Sequence, residues 1–376
     1  MSWITAEAAA SRLGVKPQTL YAYVSRGHIT ARQADGNRRQ SLYSAADVAA
    51  LERRRRGGRA RKSVAARTIA WGDPVLESAI TTVREGRLIY RGVDAVTLSA
   101  KATLEEAARM LIGHEPDAQR ASHAATKGET AKARGYAFLA ARAAVDAPSL
   151  GRRPEHLAAE ALDLIGGLGV AFAGANRTNA LLHEHLAALW KLDARGGDLV
   201  RRALVLVADH ELNPSTFAAR VAASTGAPIA AAALAGYATL SGPLHGEASA
   251  RALLFLETAM RDGAEAAVNA TLARAERLPA IGHALYPMGD PRAASLLKAI
   301  KPSKPLNAAI EAAEAASGDR ANIDMALAAL TLECGLPRDA PFLIFAGGRM
   351  AGWCAHAIEQ RATGRIIRPR ATYTGD

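Results

Sequence analysis

Along most of the chain, apolar side chains recur at three- and four-residue spacing in blocks cut by Gly, Pro, Asn or Asp, the pattern of amphipathic and buried helices. Beyond residue 64 the blocks predict helices over Leu104–Ile112, Lys132–Ala144, Pro154–Ile165, Leu181–Trp190, Leu199–Ala208, Pro214–Ser224 and Ile229–Leu240. They continue over Ala248–Arg261, Ala264–Arg274, Pro291–Ile300, Leu306–Ala316, Asn322–Cys334 and Phe342–Arg361. Only Gly86-Arg87-Leu88-Ile89-Tyr90-Arg91-Gly92-Val93 reads as a short strand pair or extended segment. The fold class expected is mainly α.

The first sixty residues have another rhythm. Thr5 is placed to cap a helix over Ala6–Leu13 that Gly14 stops, and Pro17 opens a second helix running to Arg26 and Gly27. Leu20 and Val24 share one face of that helix, leaving Gln18, Thr19 and Tyr21 for a nucleic-acid groove. A two-stranded wing follows, with Arg38 and Arg39 at its tip for phosphates, and Ser44 caps a third helix ending in Arg53-Arg54-Arg55-Arg56. The pieces "LGVKPQTLYAYVSRG" and "NRRQSLYSAADV" resemble the MerR-like and excisionase-type winged helix-turn-helix. That resemblance implies a domain over residues 1–56, a basic linker over 57–65, and possible DNA binding.

Charge supports the division. Residues 1–62 hold 13 of the 47 Lys/Arg but 4 of the 36 Asp/Glu, so they carry net +9 and the remaining chain +2. At 376 residues the chain has room for about two and a half domains. Apolar residues make 49% but aromatics 5%, so alanine supplies much of the excess and closely packed helices are favoured over sheet. Two cysteines exclude a disulfide framework, and no basic-then-apolar leader opens the chain, so a cytoplasmic location is expected. Val221–Leu244 carries no charge across 24 positions, but Ala, Gly, Ser, Thr and two prolines make it a helix buried against other helices rather than a membrane span.

Three histidines precede helix starts: His210 before Asn213-Pro214, His245 in Gly242-Pro243-Leu244-His245-Gly246, and His283 before Asp290-Pro291-Arg292. A positive helix end lowers a histidine pKa, and a neutral imidazole can then donate to a developing enolate or carbonyl oxygen. Arg292, in a first turn, can bind an anion resting there. Asp324, also in a first turn, could remove a proton next to a carbonyl, although that position is an ordinary one for a carboxylate. Arg349 and Arg368 stand beside small or rigid neighbours.

The order of motifs resembles the citrate synthase family. It runs through "LIYRGVDAVTLSAKATLEEAARML", "ADHELNPSTFAARVAAST", "GPLHGEAS", "IGHALYPMGDPRA", "NIDMALAAL", "GGRMAGWCAHAIEQ" and "RIIRPRATYTG". The resemblance implies a homodimer of helical subunits with a large domain over 66–245 and 331–376 and a small domain over 246–330. It implies condensation of acetyl-CoA with oxaloacetate to give citrate and CoA, with the CoA thioester as substrate and no permanently bound cofactor. Asp324 would be the base, His245 the donor to the enol oxygen, and His283 the group polarising the ketone. His210, Arg292 and Arg349 would hold carboxylates, with Arg368 reaching in from the second subunit. Two departures stand out: Glu247 and Ser249 interrupt the family's "GPLHGGAN", and Ala284–Gly289 lacks the basic residues of its "HRVYK" that help hold CoA phosphates.

Other readings remain open at this stage. Propionyl-CoA in place of acetyl-CoA gives a 2-methylcitrate synthase and leaves no motif, because one methylene changes specificity by only about 1–3 kcal/mol. A DNA-binding regulator could use the body as an acyl-CoA or oxo-acid sensor. A metal site at His183, Glu184, His185, His210, Glu211, His245 and Glu247 is disfavoured. The spacing is not HExxH, and His183 and His185, two apart on a helix, are expected on its surface.

Overall fold

The computed structural model describes residues 3–15, 17–25, 28–34, 37–51, 76–117, 123–175, 180–246, 248–371 and 373–375. The chain divides into two compact units, Met1–Glu77 and Ser78–Asp376.

In the first unit, strand β1 (Trp3–Thr5) leads into helix α1 (Ala6–Leu13). Thr5 Oγ1 accepts from Ala8 N–H, and Gly14 ends the helix at φ 59°. Helix α2 (Pro17–Ser25) follows, then strands β2 (Ala31–Ala34) and β3 (Asn37–Ser44) and a helix α3 over 45–51, capped by Ser44 Oγ accepting from Asp47 N–H. The sheet is three-stranded, where a two-stranded wing is expected from sequence. The order is β1-β3-β2, because Trp3 pairs with Ser44 and Thr5 with Leu42 on the far edge of β3. Ala9, Ala10, Leu13, Leu20, Ile29, Tyr43 and Val48 form its core. Thr19 and Tyr21 are exposed, while the side chains of Gln18, Arg38 and Arg39, and the linker expected over 57–65, lie outside the described residues.

The second unit opens with an antiparallel meander, β4 (Thr81–Arg84), β5 (Arg87–Tyr90) and β6 (Val93–Asp94), and is otherwise helical. Helices α4 (Ala95–Ser99), α5 (Leu104–Ile112), α6 (Ala131–Val145), α7 (Pro154–Ala173), α8 (Leu182–Leu189) and α9 (Ala194–Leu206) come first. After them run α10 (Pro214–Ser224), α11 (Ile229–Leu240), α12 (Ala248–Asp262), α13 (Ala264–Ala273), α14 (Pro291–Ile300), α15 (Lys304–Ser317), α16 (Ile323–Glu333) and α17 (Ala340–Ala362). Two corrections concern glycine. Helix α7 does not stop at Ile165 but runs through Gly166, Gly167 and Gly169, and α9 begins at Ala194, ahead of Gly196-Gly197. In α7 the glycines serve packing: a methyl on Gly167 would collide with the Phe138 ring.

Two hydrophobic cores form within this unit. The larger gathers buried residues from Ile80 to Ile358, including Ala293, Leu296 and Ile300 of α14. The smaller is built from residues between Ala252 and Ala329, on α12, α13, α15 and α16 together with Leu278 and Ala321 of the connecting segments. Helix α16 is a shared wall: Ile323, Ala326, Leu327 and Leu330 face the larger core, and Met325, Ala328 and Ala329 the smaller. Buried α17 crosses the larger core beside α10 and α11. The uncharged stretch 221–244 is accounted for by the end of α10 and by α11, whose Ile229, Ala230, Ala232, Ala233, Gly236 and Tyr237 are buried. Among the described residues one helix, α7, is long and apolar enough to cross a membrane, and 67% of that stretch is buried inside the protein. Cys334 and Cys354 are free thiols.

Candidate active site

The ends of α14 and α16 are tied together before any charge is considered. Ile281 bridges Ala321, Gly282 N–H donates to Arg320 O at 2.8 Å, and Asn322 Nδ2 donates to Gly282 O at 3.0 Å. Asn322 caps α16 by accepting from Asp324 N–H at 3.0 Å. Asp290 caps α14 through Arg292 N–H at 3.0 Å, and its other oxygen accepts from Ile323 N–H at 3.0 Å. One carboxylate therefore fixes two helix starts, and the segment that leads into His283 is held against the start of α16 although the two are far apart in sequence.

His283 Nδ1 accepts from Leu285 N–H at 3.1 Å, so the neutral ring carries its proton on Nε2 as a donor. Burial, then Arg292, lowers its pKa, with Asp290 opposing. The ring meets His210 edge-on, centroids 5.0 Å apart, and His210 Nε2 lies 2.9 Å from the Tyr286 hydroxyl. His210 is buried, and burial, then Arg292, Arg349 and His283, hold it well below the usual imidazole range. His245 falls to about 4, again from burial first and then Arg349. The fall expected from helix ends is thus present, but burial and the arginines produce it.

The two buried arginines differ. Arg292 gives Nε and Nη2 to Asp290 at 3.0 and 2.8 Å, and that partner raises its pKa against the effect of burial. Arg349 gives only Nε, to Val207 O at 2.9 Å, and among the described residues its two Nη groups donate to nothing. Burial pulls it down to about 10 despite Asp209 and Tyr90. Arg349 is 1% exposed, so its fork is a desolvated cation with no carboxylate hydrogen-bonded to it, Asp209 acting on it only through its field.

His245 is oriented by Ser215 at the start of α10. Ser215 Oγ lies 3.0 Å from His245 Nε2 and 2.7 Å from Asn213 Oδ1, and it accepts from Trp353 Nε1 at 3.1 Å. The hydroxyl has one proton for two acceptors. When it points at Nε2, the neutral His245 ring carries its own proton on Nδ1. Trp353 is close enough to serve because α11 passes it at Gly236, where a methyl would strike the indole. Four residues beyond His245, Ser249 Oγ donates to Asp324 Oδ1 at 2.5 Å. Burial raises the Asp324 carboxyl, with Ser249 and Arg292 opposing.

Of the residues expected from sequence, His210, His245, His283, Arg292, Arg349 and Asp324 fall into one cluster, linked by these contacts and by the shared field of Arg292 and Arg349. Arg368 does not join it; it is exposed in the segment after α17. Glu247 lies outside the described residues. His185 is buried at 1% exposure rather than on a helix surface, because glycine at 169 lets α7 approach it closely, and His183 is half-buried. Among the described residues no group of His, Cys, Asp or Glu is arranged to hold a metal ion. Sequence reasoning missed Tyr286, Ser215, Asp290 and Trp353 as partners. Only the Asp-Pro pair pointed toward one of them, and it did so as a helix cap.

A second unit that is largely helical, with two cores and a partly buried cluster of neutral imidazoles, arginines and a carboxylate, is matched by known proteins. The family described as "Citrate synthase, C-terminal domain" matches residues 69–370, and the chain belongs to the citrate synthase family. It is 38% identical over 196 residues to "Putative citrate synthase 2" of Mycobacterium tuberculosis, covering 49% of this chain and 52% of that protein. It is 36% identical over 185 residues to "2-methylcitrate synthase" of Shewanella oneidensis, covering 46% and 49%. The chain spans about half the length of these curated relatives. The crystal structure of citrate synthase from Thermotoga maritima superposes with a TM-score of 0.63 at 27% identity, over 81% of this chain and 94% of that one.

Proposed function

We propose that the second unit condenses acetyl-CoA with oxaloacetate and hydrolyses the product to citrate and CoA. The observation that carries this is the Arg349 fork, buried with no carboxylate bonded to its Nη groups and sharing a field with three imidazoles held neutral. A dicarboxylate supplies the missing charge, bound by Arg349, the free edge of Arg292 and His210. Asp324 removes a proton from the acetyl methyl group, and His245 donates to the enol oxygen as it forms, which lowers the barrier to deprotonating so weak an acid. The enol carbon attacks the ketone while His283 Nε2 gives its proton to the carbonyl oxygen. Water then splits the thioester, so one acetyl-CoA, one oxaloacetate and one water yield citrate and CoA. No bound cofactor is required, and the two free cysteines suit a cytoplasmic location. The smaller core is read as the small domain closing over the substrates, with α16 carrying Asp324 on the shared wall. Arg368, exposed here, would complete the carboxylate site of a second copy in a homodimer.

Thiol release from acetyl-CoA with oxaloacetate, in wild type beside Asp324→Ala, tests this. Release by wild type alone supports it; no release with acetyl-CoA or propionyl-CoA overturns it and favours the sensor reading. Faster release with propionyl-CoA moves the assignment to 2-methylcitrate synthase, the activity named for the Shewanella relative.

The first unit supports a second reading, as a winged helix-turn-helix that binds DNA. It rests on helices α1 and α2 turning at Gly14, on exposed Thr19 and Tyr21, and on net +9 in residues 1–62. Gln18, Thr19 and Tyr21 would face bases, and Arg38 and Arg39 phosphates. A gel shift that weakens steeply with salt supports it; absent or salt-independent binding refutes it.

A further inference from the structure

Ser249 is 2% exposed in the first turn of α12, where a serine ordinarily bonds to a nearby backbone group of its own helix. Here its hydroxyl crosses to α16 and donates to Asp324 Oδ1 at 2.5 Å. Among the described residues nothing donates to Oδ2. The two carboxylate oxygens are therefore unequal, one held and one free.

We propose that Ser249 is the positioning residue of the base: its hydroxyl clamps Oδ1, fixes the plane of the carboxylate, and leaves Oδ2 to receive the proton. The inference rests on the reading of Asp324 as the base. A carboxylate in a buried site needs such help twice over. Free rotation about its last bond would spread the basic lone pairs over many directions, whereas proton transfer requires one. Burial also favours the protonated, inactive form, and a donor that bonds best to the ionised form offsets this. The clamp is compact because Ser249 and His245 lie four residues apart in sequence, so the segment that presents the enol donor also orients the base. Closer or looser packing of α12 on α16 would change both together.

The test uses the full chain as wild type, Ser249→Ala and Ser249→Thr, the last keeping the hydroxyl. The Asp324 carboxyl is titrated by carbon NMR on protein labelled at aspartate Cγ, with Asp324→Asn to assign the signal. Thiol release is followed over the same pH range. In Ser249→Ala the Asp324 midpoint moves up, the acid limb of kcat moves with it, and kcat on the acid side falls about tenfold. KM for oxaloacetate holds, and Ser249→Thr restores both midpoint and rate. A Ser249→Ala midpoint and acid limb equal to wild type overturn the role of Ser249. If the midpoint moves while wild type releases no thiol, the clamp stands and the condensation reading falls. A merely structural serine would lower stability and leave the midpoint unmoved.

Discussion

The two halves of the cluster are built on opposite plans. On one side, Arg292 and Arg349 hold fixed charge beside the neutral ring of His210, with Arg292 braced by Asp290 and Arg349 left with an open fork. On the other, His245 and Asp324 each depend on a serine, Ser215 and Ser249, whose single proton decides which lone pair is free. The first half holds an anion by position and survives small changes in protonation. In the proposed reaction the second works by moving protons, so its output depends on the Ser215 and Ser249 hydroxyls.

The contrast makes four predictions. Asp324→Asn lowers kcat by about 10² to 10⁴ while calorimetry finds oxaloacetate affinity little changed; loss of affinity instead would mean the halves are not separable. Arg349→Met does the reverse, weakening oxaloacetate by about tenfold to a hundredfold and abolishing its thermal shift. Ser215→Ala costs about tenfold in kcat with KM for oxaloacetate unchanged, and a rise in KM alone would move Ser215 into the anion half. The smallest effect is on stability. His210, His245 and His283 have folded pKa values below the unfolded value of about 6.5, so the unfolded chain takes up protons first as pH falls. Stability is then lost from about pH 6.5 downward, toward about 4 for His245, and is level above neutrality. Asp324, raised on folding, works in the opposite direction at the acid end. Melting temperatures of His245→Gln should fall less steeply with acid than those of wild type.

Much of the helical frame was legible because caps are local. Helices α5, α10, α11 and α14 have the bounds expected from sequence, and Asn213-Pro214 and Asp290-Pro291 mark the starts of α10 and α14. Glycine misled where tertiary packing outweighed propensity, as in α7, whose glycines admit Phe138 and His185. Residues that bear charge or a ring in the cluster could be named from motif order. Their partners could not, since Tyr286 to His210, Ser249 to Asp324 and Trp353 to Ser215 are contacts between distant segments with no spacing to read. The first wing strand, Trp3–Thr5, was missed for the same reason: its partner is Leu42–Ser44.

On the proposed reading, a carboxylate bound at the open guanidinium of Arg349 sets the stability of the free protein. A ligand that neutralises that charge stabilises the folded chain by mass action, about 2.7 kcal/mol at a hundred times its Kd. Without such a ligand the chain would be in its most heat-labile and protease-sensitive form.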